Sequence, residues 1–552
     1  MMEIKKKKTA LLSNVTVDLI AGRLRRKYDF YIPEGFDTWI QDIVDPSSGL
    51  YREDPDAAAV LLDGTEARSW KDRKEAEDRL GSWKMAVKTL SDRFTEIPLF
   101  ISTIDIRENR IKALSERKLR TELENDWYGF VQGLAEERSN VFVFDLADLA
   151  ADIGRKQFYS DKMWYMSSMP YSRDGLAAAA AELDAVLGSA FETRKKIIAL
   201  DLDNTLWGGV AGEDGLSGVE LAAHKEGQRF YDFQRQLLEM KNRGVVLAVN
   251  SKNNEEDAED IIRNHPSMLL RDDDFVSRKI NWNDKASNIK EMEQELNITE
   301  GGFIFIDDNP VEREIVKGEC PGVCVPEFPE DTTSLIGFAE ELWKDCLRPL
   351  KVLSEDRDKT RMYQSEAGRR QEMNASLDLD DYISRLEITA DIHRIRPEEL
   401  DRAAQLAAKT NQFNVTTKRY TRAQIAELAA APENAVYTVY SGDKYGDSGL
   451  ISLIILTGEE AGMNIDTFLM SCRVMGRKLE DVIIGELAEA WAGRPLLAEY
   501  IPTAKNAPVR DLYDRLGFEK TSEDSGRKTY LLKTEGYEKK SFDSYREIRF
   551  EK

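Results

Sequence analysis

The chain has 552 residues, of which 41% are apolar and 32% charged, and its formal net charge is −23. At roughly 150 residues per domain, this length predicts three or four domains with several hydrophobic cores. The acidic balance excludes a general nucleic-acid binder or an anionic-membrane binder, since both need basic surface, but it leaves room for a local basic pocket that takes a phosphorylated substrate.

Residues 1–190 alternate between strand-like and helix-like runs. ALLSNVTV, AAAVLLD, IPLFISTID and NVFVFDL read as short buried strands, and SWKDRKEAEDRLGSWKMAVKTLSDRF reads as a helix between them. That alternation predicts an α/β domain with a largely parallel sheet. The basic start, MMEIKKKKTALLSN, has no apolar run long enough for a signal peptide, and no later window is long and apolar enough to span a membrane, so the expected compartment is the cytoplasm. The chain has three histidines, His224, His265 and His393, so residues 1–223 contain none. A Ser-His-Asp triad cannot be built in that part of the chain, nor a multi-histidine metal site.

A second unit is expected over residues 191–345. KKIIALDL, VVLAVN, FIFIDD and GVCVPE read as four more buried strands. Between them, Gly227 to Arg243 is predicted to be a helix, with Phe230, Phe233, Leu237 and Leu238 on one face and Gly244 as the stop. A further helix is expected after Asp284, with Ile289, Met292 and Leu296 on one side. Cys320 and Cys324 have no second pair and no nearby histidine, so with Cys346 and Cys472 they read as reduced thiols rather than zinc ligands. Residues 346–385 are charged and strand-poor and read as a helical connector. From 386 to 552 an α+β domain is expected: a helix over PEELDRAAQLAAKT, strands AVYTVYS, GLISLIIL and NIDTFLMS, and a helix from Leu479 to Trp491.

The chemistry concentrates in IIALDLDNTLWGGVAGEDG, residues 197–215, where an apolar strand ends in two aspartates, Asp201 and Asp203. Ligands of an open parallel sheet bind beyond the carboxyl ends of its strands. VVLAVN ends at Ser251, FIFIDD ends at Asp307 and Asp308, and Lys285 opens the helix after NWND. Gathered at one sheet edge, these residues form a cup of four acids, one hydroxyl and one ammonium. Such a cup of acids calls for a hard cation, and magnesium prefers one or two carboxylates with substrate phosphate. The set then reads as phosphoryl-transfer machinery. Asp201 attacks phosphorus, and Asp203 protonates the leaving oxygen and then activates water. Ser251 and Lys285 hold the phosphoryl oxygens. Asp201, Asp203, Asp307 and Asp308 are the candidate Mg²⁺ residues, Asp308 through the metal's outer shell.

DLDNT, the strand-end Ser251, the downstream Lys285 and the strand-end Asp307-Asp308 resemble, in order and spacing, the four motifs of the haloacid dehalogenase (HAD) superfamily. LDLDNTLWGGVAGEDG, INWNDKASNIKEMEQELNI and FIFIDDNPVERE resemble its FkbH-like branch more narrowly, and the likeness covers nearly the whole chain. The resemblance implies removal of phosphate from 1,3-bisphosphoglycerate and loading of the glyceryl group onto the thiol of an acyl carrier protein, in polyketide-type biosynthesis. The interval from Asp203 to Gly227, which contains Gly208, Gly209, Gly212 and Gly215, is too short for a large cap domain, so a bulky or tethered substrate could enter. Trp207 either lines that entrance or packs as a core aromatic.

The C-terminal part resembles the GNAT acyltransferase fold through Arg473-Val474-Met475-Gly476-Arg477-Lys478, with Asn506 and Tyr513 matching a later N…LY..LGF pattern. Lys478 stands where that family has a small residue, so Arg473, Arg477 and Lys478 are expected to hold a phosphopantetheine or substrate phosphate in place of ordinary coenzyme A binding. Cys472 is the candidate by position for an enzyme thioester. The N-terminal part resembles a degenerate SGNH-hydrolase domain, with Ser13 near the nucleophile position and no histidine to serve it, which implies a docking or structural module. Two other readings stay open. One is a HAD phosphatase of another metabolite fused to an acyltransferase acting on a sugar or amine. The other is a non-catalytic scaffold that binds a carrier protein.

Overall fold

A computed structural model of the chain describes residues 6–108, 111, 113, 118–352, 356, 359–471, 474–503 and 505–552. The chain divides into two compact units. One holds residues 1–293 and 298–360, the other residues 294–297 and 361–552. The sheets expected in 1–190 and 191–345 therefore belong to one unit. Within it, the Arg194 guanidinium donates to the Asp345 and Ala185 carbonyls at 2.7 and 3.2 Å, and Arg348 pairs with Glu182 at 2.9 Å.

The first sheet contains β1 (Lys7–Ser13), β2 (Tyr28–Tyr31), β3 (Ala57–Leu61), β4 (Leu99–Ser102) and β5 (Val141–Phe144), all parallel in the order β2-β1-β3-β4-β5. Side chains alternate across a strand. Ala57, Ala59 and Leu61 accordingly join one core with the helix Arg173–Phe191, while Ala58 and Val60 join another with Arg73–Arg93. Both faces are covered, which explains why four of these strands read as continuous apolar runs. β2 was not legible in the sequence because it is an edge strand whose last three residues are only partly buried or exposed.

The second sheet is also parallel, ordered β8-β7-β6-β9 from β6 (Ile197–Leu200), β7 (Val246–Ser251), β8 (Phe275–Ile280) and β9 (Phe303–Ile306). The expected helices appear at Gln228–Lys241 and Lys285–Leu296. The fourth expected strand, GVCVPE, does not form. It makes one bridge, Cys324 to Ile304 beside β9, and the flanking Pro321 and Pro326 have no N–H to extend a ladder. The fourth strand is instead β8, whose interior Ser-Arg-Lys hides it from an apolar scan.

The second unit is the expected α+β body. Helices Lys359–Ala375 and Leu379–Leu386 occupy the connector. An eight-stranded sheet follows in the order β15-β16-β14-β13-β12-β11-β10-β17. β10 (Thr389–Arg394), β11 (Ala435–Asp443), β12 (Gly446–Glu459) and β13 (Gly462–Met470) are antiparallel neighbours, and β14 (Leu496–Tyr500) runs parallel to β13. β15 (Glu519–Asp524), β16 (Arg527–Leu532) and β17 (Glu547–Phe550) complete it, and the helix Leu479–Ala490 packs on its core.

Candidate active site

β6, β7 and β9 end side by side, and the candidate residues stand at or just beyond their ends. Asp201 leaves β6 with its N–H donated to the Ile306 carbonyl at 2.9 Å. Ser251, the last residue of β7, is buried, and so are Asp307 just beyond β9 and Lys285 at the first turn of its helix. The Lys285 ammonium lies 2.9 Å from Asp201 Oδ1 and also pairs with Asp307 Oδ2. Distant segments thus meet at one sheet edge, as the sequence pattern requires.

Burial sets the electrostatics here, because taking a charge out of water favours its neutral form. Burial and then the neighbouring Asp201 charge push the Asp307 carboxyl up to about 7, although Lys285 opposes the shift. Asp308 is raised by the same two causes. Burial works against the Lys285 ammonium, but Asp201 and Asp307 outweigh it and hold its pKa above the usual lysine value. Asp201, Asp307 and Asp308 each offer a carboxylate oxygen within 4.8 Å of the others, a donor set suited to a hard divalent cation such as Mg²⁺.

The carboxylate of Asp203 is not in that set, and both its oxygens accept hydrogen bonds. Oδ1 accepts from Trp207 Nε1 at 2.9 Å and Ala211 N at 3.0 Å, and Oδ2 accepts from Asn253 Nδ2 at 2.9 Å. Burial raises its pKa despite those donors. Three hydrogen bonds thereby fix the orientation of the Asp203 carboxylate. Trp207 is fully buried, so it packs and does not line the entrance.

The turn after Asp203 is fixed locally. Asn204 adopts a left-handed conformation with φ of 54° and accepts from Gly209 N at 3.0 Å, where Gly209 itself has φ of 95°. Between this turn and the helix at Gln228, the only α-helical segment is Ala211–Gly218, broken at Gly215, so no cap-sized domain is inserted at this point of the chain.

Sequence reading missed Asn253 and a buried amide network behind the site. Asn250 donates to the Lys285 carbonyl at 2.9 Å, and Asn288 donates to Asn250 Oδ1 at 3.0 Å. The one available signal was polar residues at the end of an otherwise apolar strand.

The candidates in the second unit fare differently. Cys472 and Arg473 lie outside the described residues. Gly476 has φ of 79°. Arg477 is buried, with its guanidinium 3.1 Å from the fully buried carboxylate of Asp443. Lys478, with φ of 58°, precedes the helix Leu479–Ala490 and pairs with Asp380 at 2.7 Å. Asn506 is fully buried. It accepts from Thr503 N at 2.8 Å and donates to the Asn414 and Ile501 carbonyls at 3.0 and 2.9 Å. Tyr513 is packed against Phe518 and Tyr530, with ring centroids 4.9 and 5.4 Å away. Arg477 and Asn506 are thus paired inside the fold, as buried polar groups usually are, while the Tyr513 ring packs and its buried hydroxyl has no hydrogen-bond partner. In the first unit, Ser13 Oγ donates to the Leu61 carbonyl at 2.5 Å, so its hydroxyl is also spent on structure.

No family model and no curated protein matches the chain. Among solved structures, the N-terminal part of protein BF1531 from Bacteroides fragilis, containing a phosphatase domain complexed with Mg, is 28% identical at a TM-score of 0.56. The match covers 63% of this chain and 95% of that one. This chain shares the fold of a magnesium-bound phosphatase-domain protein. Two smaller matches are the ribosomal-protein-S18-alanine N-acetyltransferase of Escherichia coli and a putative GNAT acetyltransferase of Desulfovibrio desulfuricans. The first is 16% identical with a TM-score of 0.20 and covers 26% of this chain and 90% of its own. The second is 17% identical with a TM-score of 0.22 and covers 26% and 99%.

Proposed function

We propose that the chain is a magnesium-dependent phosphatase of the HAD type, in an FkbH-like enzyme that loads a glyceryl group onto the thiol of an acyl carrier protein. The observation that carries the phosphoryl chemistry is the buried contact of Lys285 with both Asp201 and Asp307, beside an Asp203 held by three hydrogen bonds. Asp201 Oδ attacks phosphorus, the ester P–O bond breaks, and Asp203 gives its proton to the departing oxygen. Asp203 then takes a proton from the water that attacks the aspartyl phosphate, which frees phosphate and restores Asp201. Lys285 and Ser251 hold the phosphoryl oxygens while charge develops on them. Asp201, Asp307 and Asp308 would hold Mg²⁺, which when bound neutralises phosphoryl charge.

With 1,3-bisphosphoglycerate the two phosphates leave by different bonds. Attack of a carrier thiolate on the carbonyl carbon expels the anhydride phosphate and forms a thioester, while the Asp201 site removes the ester phosphate. The likeness to a magnesium-bound phosphatase-domain structure supports the second step, and the FkbH-like motifs support the first. The test is to incubate the protein with Mg²⁺, 1,3-bisphosphoglycerate and a phosphopantetheinylated carrier and to weigh the carrier. A carrier mass raised by one glyceryl group is the expected result. An unchanged carrier with phosphate release intact would reduce the reading to a phosphatase of another metabolite.

A further inference from the structure

Among the described residues, Cys320, Cys324 and Cys346 are free thiols, and the sulfurs of Cys324 and Cys346 lie 3.9 Å apart. The two come from separate segments that the backbone fastens in place. Cys324 runs beside β9, donating its N–H to the Phe303 carbonyl at 3.0 Å and accepting from Phe305 N at 2.9 Å. Cys346 lies in the π-helical turn Trp343–Leu347, and its carbonyl accepts from Lys195 N at 3.0 Å, just before β6. The fold therefore sets the contact between the two sulfurs.

The surroundings favour chemistry at this contact. Both cysteines are partly exposed, so a small oxidant can reach them from water. Lys195 brackets the pair, because its ammonium also donates to the Gly322 carbonyl at 3.2 Å, two residues before Cys324. The hydrogen bond from Cys346 and the Lys195 charge hold the Cys324 thiol below the usual thiol value, against its burial. The same contact, together with burial, holds Cys346 above that value. The thiolate is the nucleophile of cysteine chemistry, so Cys324 is the attacking partner. Cys320 is the opposite case: it is fully buried, its Sγ donates to the Ala286 carbonyl at 3.8 Å, and burial raises its thiol.

We propose that Cys324 and Cys346 form a peroxide-reactive dithiol site that closes reversibly to a disulfide. The Cys324 thiolate attacks one oxygen of hydrogen peroxide and the O–O bond breaks. The departing hydroxide takes a proton and leaves as water, and Cys324 becomes a sulfenic acid. The Cys346 sulfur then attacks the Cys324 sulfur and gives up its proton, and the S–O bond breaks with loss of a second water. Two thiols are oxidised to one disulfide, and one peroxide is reduced to two waters. In a reducing compartment such a bridge is transient. It closes the stretch of chain that carries the helix Leu335–Leu342 and so restricts the unfolded state. The pair stands at the starts of β6 and β9, opposite the ends that carry Asp201 and Asp307, so this inference does not depend on the phosphoryl-transfer reading.

The experiment treats the reduced full chain with a graded excess of hydrogen peroxide, alkylates the remaining thiols, and maps the digested protein by mass spectrometry. The expected product is a cross-linked pair of peptides carrying Cys324 and Cys346, about 2 Da lighter than their sum and separated by dithiothreitol. Cys320 should be recovered alkylated. With dimedone present to trap sulfenic acid, Cys346→Ser should be labelled at Cys324, and Cys324→Ser should carry no label at Cys346. The cross-linked full chain should melt above its reduced form, a shift that both serine variants lose. Recovery of Cys324 and Cys346 as alkylated thiols after peroxide overturns the inference, as does a cross-link from either to Cys320 or Cys472 in its place. Dimedone on Cys346 rather than Cys324, or a cross-linked chain that melts no higher than the reduced one, also overturns it.

Discussion

Lys285 places an ammonium between two carboxylates inside the protein, so its removal should expose how much charge the site stores. Breaking a buried ion pair from one side costs about 3–5 kcal/mol, because the abandoned charge stays desolvated. Lys285→Met is therefore expected to melt well below the parent in EDTA. If magnesium binds the native site as proposed, it should restore much of the loss by mass action. Thermal melts with EDTA and with millimolar MgCl₂ check this, and equal melting of parent and variant in EDTA would contradict it. Asp203 makes a sharper case for chemistry. Asp203→Asn retains an oxygen to accept from Trp207 and Ala211 but has no proton to give or take. On the proposed mechanism kcat should fall by about 10²–10⁴, the usual contribution of a positioned acid or base. The melting temperature should move little, and an acid-quenched sample should still carry phosphate on Asp201. Loss of turnover together with unfolding would assign Asp203 to the fold.

At the scale of elements, the strand ends explain both what the sequence disclosed and what it hid. β6, β7 and β9 are buried on both faces, so their apolar runs stand out and the polar residues that terminate them are conspicuous. Asp201, Ser251 and Asp307 were legible for that reason. β2, β8 and β15 have partly or fully exposed residues and no apolar run, and the sequence alone did not mark them. The same limit applies to Arg477 and Asn506, since a motif match does not say whether a polar side chain faces a ligand or partners inside its own fold. The end of β3 supplies a test outside the candidate site. Asp63 is 1% exposed, its Oδ1 accepts from Thr65 N at 2.7 Å, and its Oδ2 has no hydrogen-bond partner. Burial pushes this carboxyl from the usual 3.8 up to about 6. The native state therefore holds the proton more tightly than the unfolded chain does. Its contribution to stability is full below about pH 4 and is lost as pH rises through about 6. Asp63→Asn, which cannot ionise, is expected to flatten the pH dependence of stability over that window, gaining about 1–3 kcal/mol relative to the parent between pH 4 and 7.5. Urea unfolding at the two pH values measures it, and parallel curves for parent and variant would count against a buried, titrating Asp63.

Over the whole molecule, the residues proposed for phosphoryl transfer fall in one compact unit. Asp201, Asp203, Ser251, Lys285, Asp307 and Asp308 lie in the first unit, together with the hydrogen bonds that orient Asp203. That unit has its own cores on both faces of the first sheet and around the second. A domain with its own core can in principle fold alone. A chain ending at residue 352 is therefore expected to unfold in a cooperative transition and to hydrolyse p-nitrophenyl phosphate with Mg²⁺ at a kcat within about threefold of the full chain, a difference of less than about 1 kcal/mol in barrier height. Glyceryl loading of a carrier protein should behave differently, because the second unit is the part that the sequence relates to acyl transfer. If loading disappears from the shortened chain while phosphate release persists, the two activities divide along the two units. If loading persists, thiol acylation belongs to the first unit as well, and the eight-stranded sheet has some other partner. Loss of phosphate release from a shortened chain that still folds would mean that the Asp201 site draws on residues beyond 352, contrary to the division proposed.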